Sequence, residues 1–406
     1  MKEIKKSEKL LKVNYAVRGP VLDAANALER QGQKILKLNI GNPGAFAGYA
    51  APQEMLDALA DNLFPSEAYS DSKGLLIARE AVLNYCAGKG LTNIDTDGIY
   101  LGNGASELIT MTLNALLNPG DEVLVPAPDY PLWTASTNLA GGTAVHYLCD
   151  EAHDWMPDLA DMEAKITEHT RAIVVINPNN PTGAIYAPDV LKEIVELARK
   201  NDLIILADEI YDRLLFPGEK HTSIASLAPD LFCVTFNGLS KSHLACGYRV
   251  GWMCISGDKS RAADFIGGLN VISSMRLCSN VPGQHTIKPA LENPNFISAM
   301  YEPGGRLYEQ RKAVVDTIAK IDGMSVVPNR GAFYMFPHMD IEKLHIKDDQ
   351  QFALDFLNAK QVLIVNGTGF NWPKPDHFRI VALPAADVLT EAMERLGDFL
   401  SDYRQY

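Results

Sequence analysis

Between residues 98 and 255 the chain repeats one rhythm: a short apolar run, a loop and, in several cases, a helical pattern. The runs fall at 99–101, 122–125, 144–148, 172–176, 203–207, 232–236 and 250–255. The helical pattern at 190–199 places Leu191, Ile194, Val195 and Ala198 on one face. Continuous apolar strands alternating with helices argue for a mostly parallel sheet covered on both faces. The expected fold is α/β, with a three-layer αβα large domain around a seven-stranded sheet. In such sheets the ligand site forms from loops at the carboxyl ends of the strands.

The residues that follow the runs are chemically distinctive. After the first comes Gly-Asn-Gly-Ala105-Ser106-Glu, opening a helix over 108–117. Small residues at a helix start expose open backbone N–H groups, which suit a phosphate. The second is followed by Pro-Ala-Pro-Asp-Tyr130-Pro, an aromatic ring in a stiff turn. The fourth leads into Asn-Pro-Asn-Asn180-Pro-Thr-Gly, where two X-Pro units fix polar amides. The fifth leads into Asp208-Glu209-Ile210-Tyr211, and the sixth into a Gly/Ser-rich loop carrying Lys241. A lysine between two core strands is cut off from water, and desolvation there lowers its pKa and frees the amine for nucleophilic attack. On that stretch alone, a surface loop lysine is the competing reading.

As one set, a phosphate nest, a ring, an amide, a carboxylate, a phenol, a lysine and an arginine match what pyridoxal 5'-phosphate needs. Its aldehyde takes a lysine, and its ring nitrogen takes a carboxylate that keeps it protonated. Its phosphate takes helix N–H groups and an arginine.

The rest of the chain reads as a second, α+β unit built from both ends. Val21, Leu22, Ala25 and Leu28 share one helix face after Pro20, and Met55, Leu56, Leu59 and Leu63 another after Pro52. Strands are expected at 331–336, 362–365 and 378–381, and a closing helix carries Leu389, Met393, Leu396 and Leu400. The expected division is 1–60 and 301–406 in the small domain and 61–300 in the large one. A net charge of −13 argues against a nucleic-acid or acidic-membrane partner. The charged first nine residues lack a secretory signal, and no apolar run is long enough for a bilayer. Six scattered cysteines without a Cys-x-x-Cys pair fit reduced core thiols in a cytoplasmic protein, with no metal site.

These motifs carry a resemblance. The chain resembles the fold-type I aminotransferases of class I/II, the group that includes aspartate and alanine transaminases. The residues are 177–183 as Asn-Pro-x-Asn-Pro-Thr-Gly, Asp208-Glu209-x-Tyr211, Ser240-Lys241 with Arg249-Val250-Gly251, and Phe378-Arg379-Ile380, in the family's order. Its finer texture is similar to the bacterial glutamate–pyruvate transaminases, through Tyr15-x-x-Arg18-Gly-Pro, Leu-Asn-Ile-Gly41-Asn-Pro, Tyr69-Ser-Asp-Ser-Lys-Gly and Phe-Asn-Gly-Leu-Ser-Lys241.

The resemblance implies that Lys241 is the Schiff-base lysine and proton-transfer base, and that Asp208 is the partner of the pyridinium. It implies Tyr211 and Asn180 at the 3'-oxygen, Tyr130 stacked on the ring, and Ala105, Ser106, Ser240 and Arg249 on the phosphate. Tyr69 would join that phosphate from a second subunit, which makes the expected assembly a homodimer. Arg379 would fork onto the substrate carboxylate, with Gly41 and Asn180 beside it and Tyr15 and Arg18 closing the site. The partners implied are small amino acids and 2-oxo acids, with transfer between L-alanine and 2-oxoglutarate the leading reaction. Another class I transaminase and a C–S lyase are the alternatives. Family members often carry a phosphate-binding serine three residues before the lysine; here Gly238 stands there.

Overall fold

The computed structural model describes residues 3–13 and 19–405. Among them the central sheet has eight strands: β1 (Ile99–Asn103), β2 (Glu122–Ala127), β3 (Thr143–Asp150), β4 (Met156–Pro157), β5 (Thr170–Ile176), β6 (Ile204–Asp208), β7 (Cys233–Gly238) and β8 (Val250–Ser256). Their order is β1-β8-β7-β6-β5-β2-β3-β4. Strands β7, β6, β5, β2 and β3 run parallel. By contrast, β8 is antiparallel to both β1 and β7, and β4 is antiparallel to β3. Every expected run is a strand. The eighth, β4, is only two residues long and half proline, so it left no apolar run to read.

Successive side chains of a strand point to opposite faces, and here both faces are dry. Ala172, Val174 and Ile176 pack into one apolar cluster with Val125, Leu206 and Phe236. Ile173 and Val175 pack into another with Leu124, Ile205 and Leu191. Each such fully buried aliphatic side chain contributes about 1.5–3 kcal/mol, which explains why the strands lack polar alternation.

The two chain ends share a core. Val21 and Ala25 of the helix Pro20–Arg30 pack with Val314, Phe352, Leu389 and Leu396. The strand Leu36–Lys37 pairs in parallel with Val362–Leu363. Two expectations need correction. In the helix Gln53–Asp61 Met55 is buried, but Leu56 is exposed and Leu63 lies exposed beyond the helix end. Periodicity marks an apolar face without saying what covers it. The strands expected at 331–336 and 362–365 are reduced to Tyr334–Met335 and to Val362–Leu363 plus Val365–Asn366. Apolar runs in this part are buried in irregular backbone.

Candidate active site

The parallel strands β5, β6 and β7 end side by side. Ile176 lies opposite Asp208 in the sheet, and Asp208 opposite Phe236. Their exits therefore converge on one cavity of about 680 Å³, lined by Gly41, Ala105, Ser106, Tyr130, Asn180, Asp208, Tyr211, Ser240, Lys241, Arg249 and Arg379. Tyr69 is 78% exposed and is not among the residues lining the cavity of its own chain. Tyr15 and Arg18 lie outside the described residues.

Asp208 closes β6 and is buried. Its Oδ2 accepts the indole N–H of Trp133 at 3.0 Å, and its Oδ1 accepts the Ile210 N–H at 3.3 Å. Burial pushes its pKa up to about 6, although the Trp133 and Ile210 donors pull downward. The carboxyl caps no helix. It faces the cavity as an acid poised to ionise against a cation.

Lys241 sits in the short helix Leu239–Ser242 that follows β7. Its Nζ donates to Gly41 O at 2.6 Å and lies 3.7 Å from Cys246 Sγ. Here the expected direction of titration is overturned. Burial is the largest single influence and acts downward, with Arg379 also acting downward, but Tyr334 and Cys246 together outweigh them and the pKa is raised. Desolvation, the part that follows from position in the sequence, does not by itself set the direction.

One end of the cavity combines two positive elements. Ala105 and Ser106 open the helix Ala105–Leu116, whose first N–H groups have no intrahelical partner. Arg249 lies over that start, donating to Asn103 O at 3.2 Å and Cys246 O at 3.0 Å. A Cβ on Gly104, which has φ +82°, would come within 2.5 Å of Arg249 Nη2. Glycine thus lets the guanidinium close on the helix start. A cation at the positive end of a helix is unfavourable unless an anion joins them, so the cradle fits a phosphate.

Gly238 shows why the family serine has no counterpart. It sits in β7 opposite Gly251, and a Cβ there would meet Val250 O at 2.6 Å. The position is occupied by backbone packing and has no room for a side chain. Ser240 lines the cavity two residues later.

At the other end Arg379, on the strand Phe378–Val381, is buried between the rings of Tyr334 and Phe370, 4.8 and 4.6 Å away. Its Nη1 donates to Asn180 Oδ1 at 3.0 Å, and Nη2 to Asn39 O. Asn180 also reaches Tyr211 Oη at 3.5 Å, and Tyr211 lies 3.0 Å from the Tyr334 hydroxyl. Gly41 has no room for a side chain, since a Cβ would sit 2.2 Å from Tyr334 Oη. The loop bearing Asn180 is braced: Asn179 Oδ1 accepts from Thr182 N and Oγ1, and Asn177 Oδ1 accepts from Tyr186 N.

Sequence reasoning missed Trp133, Tyr334, Asn39 and Cys246. Trp133 left one signal: an indole three residues after Tyr130, on the same helix entry, needs a partner for its N–H once buried.

The family described as aminotransferase class I and II matches residues 33–396. Glutamate-pyruvate aminotransferase AlaA of Escherichia coli is 54% identical over 405 residues, covering 100% of both chains. An alanine aminotransferase of Mycobacterium tuberculosis is 54% identical over 400 residues, 98% of this chain and 93% of its own. A crystal structure of an aminotransferase from Escherichia coli superimposes with a TM-score of 0.98 at 54% identity, covering 100% of both chains. By the family match over residues 33–396 and by full-length relatives at 54% identity, this chain belongs to the class I and II aminotransferases, which use pyridoxal phosphate.

Proposed function

We propose that the protein transfers an amino group between L-alanine and 2-oxoglutarate, giving pyruvate and L-glutamate in two alternating half-reactions. The observation that supports it best is full-length 54% identity to proteins named for that reaction, with a cavity whose residues fit both cofactor and substrate. Bound pyridoxal phosphate supplies an electron sink for the bond broken at the substrate's α-carbon. Asp208 holds the ring nitrogen protonated, Tyr130 covers the ring, and Asn180 and Tyr211 donate to its 3'-oxygen. Ala105, Ser106, Ser240 and Arg249 hold the phosphate. Lys241 is the covalent anchor and afterwards moves the α-proton. Arg379 takes the substrate carboxylate beside Gly41 and Asn180, with Tyr15 and Arg18 assigned to closing the site. The purified protein should form pyruvate and glutamate in equal amounts from L-alanine and 2-oxoglutarate. Pyruvate released with ammonia and no glutamate would make it a lyase instead.

Arg379→Lys removes the planar fork and leaves a point charge. Losing one charge-assisted hydrogen bond costs about 1.5–3 kcal/mol, so KM for alanine and for 2-oxoglutarate should each rise about ten- to a hundredfold. Unchanged KM values would remove Arg379 from the carboxylate site.

Trp133→Phe keeps an aromatic ring but deletes the donor to Asp208. With the carboxylate less supported, its pKa moves further above about 6. A bond to a charged group is worth about 1.5–3 kcal/mol, or about one to two pH units. Because the ionised acid is the form that pairs with the ring nitrogen, cofactor affinity is lost as pH falls through that pKa. In the variant the midpoint of that loss should lie about one to two units higher, and an unshifted midpoint would contradict the assignment.

The chain is further proposed to work as a homodimer in the cytoplasm, divided into domains near residues 60 and 300. Exposed Phe64, Leu76, Ile77, Val271 and Met275 flank the Tyr69 loop, and Ser273 and Arg276 tie their helix to it at Ser72 O. An apolar patch of this kind marks an interface. Tyr69 would then reach the neighbouring subunit's phosphate. All six cysteines are free, which suits a reducing compartment, and no helix among the described residues is long and apolar enough to cross a membrane. Sedimentation should give twice the 44.5 kDa chain mass, and a monomer at assay concentration would exclude the shared site.

A further inference from the structure

Four of the six cysteines are buried in the core, while Cys246 and Cys278 are half-buried. Of these two, only Cys246 lines the active-site cavity. Its thiol donates to Ser240 O at 2.8 Å and lies 4.0 Å from Gly41 O, the carbonyl that also accepts from Lys241 Nζ. Lys241 Nζ donates to Cys246 Sγ at 3.7 Å, so two reactive side chains on adjacent turns are in direct contact.

We propose that Cys246 and Lys241 form a reversible redox-modification site, in which a hydroperoxide drives closure of a sulfur–nitrogen bond that withdraws the lysine from the cofactor. The sulfur attacks one peroxide oxygen, the O–O bond breaks and an alcohol (water, from hydrogen peroxide) leaves. Sulfur is oxidised by two electrons to a sulfenic acid, and the peroxide is reduced. Lys241, having lost its ammonium proton, then attacks the sulfur. The S–N bond forms, the S–O bond breaks, and the oxygen departs as water. In sum, thiol, amine and hydroperoxide give the S–N bond, one alcohol and one water. A dithiol reverses the bond: its two sulfurs supply two electrons and two hydrogens, it is oxidised to a disulfide, and the thiol and the amine are restored. A sulfur with an amine 3.7 Å away has a partner that captures the sulfenic acid before further oxidation. The reaction requires Lys241 to carry a free amine, so bound cofactor that engages the lysine protects the pair.

Bond formation needs only the pair; its effect on turnover rests on the role proposed for Lys241, and the two are read separately. Full-length protein stripped of cofactor is treated with hydrogen peroxide and digested with trypsin. Cleavage after Lys241 should be lost, and a peptide spanning 221–249 should appear lighter by two hydrogens. A disulfide to Cys233 has the same mass change but leaves the Lys241 cleavage intact, and that result would overturn the proposal. So would Cys246 retaining added oxygen with normal cleavage. In the Cys246→Ala variant the cleavage should survive peroxide, whereas Cys278→Ala should behave as the unaltered chain. Dithiothreitol should restore both the cleavage and the capture of pyridoxal phosphate, measured as borohydride-trapped adduct. Persistent loss of cleavage in Cys246→Ala would also sink the idea.

Discussion

Replacing Lys241 with Ala is expected to lower kcat by at least about 10⁴, because it removes the group proposed as both covalent anchor and general base, and a positioned base alone is worth about 10²–10⁴. The change should leave the fold intact. The side chain projects into a cavity, and among the described residues its hydrogen bonds are to Gly41 O and Cys246 Sγ. The phosphate cradle at Ala105, Ser106 and Arg249 is untouched, so the variant should still bind cofactor, though without covalent attachment. Borohydride should then incorporate no cofactor into the peptide that carries position 241. Lys241→Arg provides the sharper comparison. It keeps the positive charge beside Tyr334 and Cys246 but cannot donate a neutral amine, so it should fail as badly as Ala. A variant retaining more than about a hundredth of wild-type kcat would mean that another group moves the proton. The raised pKa of Lys241 adds a condition: the free chain holds an ammonium there, and cofactor attachment should quicken as pH rises.

Much of this site was legible in the sequence because its residues follow strands whose ends are aligned by the sheet. Once seven runs are strands with mostly parallel order, Asp208 and Lys241 must emerge on the same edge, and the loop with Asn180 beside them. Arg379 was legible only through its motif, since it arrives from the far end of the chain. Tyr334 and Asn39 were not legible, because tertiary packing places them against Arg379: Asn39 comes from a segment hundreds of residues away, and Tyr334 from the strand paired with that of Arg379. Trp133 was not legible as a site residue, because nothing in its sequence context aims the indole N–H at Asp208. Gly238 looked like a lost ligand and is a packing constraint, visible only when Val250 O is seen 2.6 Å from an added Cβ. Lys241 shows the same limit for charge: burial follows from sequence position, but the neighbours that reverse its titration come from Tyr334 and Cys246 in three dimensions.

Asp208→Asn should reduce kcat by about 10²–10³, the scale measured for losing one preorganised electrostatic partner of a transition state. Asn is nearly isosteric, so β6 and the cavity should persist. One of its two terminal atoms becomes a donor facing either Trp133 Nε1–H or the Ile210 N–H, which costs about 1–3 kcal/mol for the hydrogen bond lost. Removing a buried carboxylate offsets part of that, since its ionised form is disfavoured by burial. Stability at neutral pH should therefore change little while catalysis collapses, and that contrast separates an electrostatic role from a structural one. The linkage sign supplies a second readout. A carboxyl whose folded pKa of about 6 exceeds the unfolded 3.8 makes the cofactor-free chain lose stability as pH rises between those values. In Asp208→Asn that component is absent. Thermal melts of the stripped variant and parent should then differ in slope over this window and run parallel above it. Identical slopes would show that Asp208 does not titrate there, and the acid assigned to the ring nitrogen would have to be sought elsewhere.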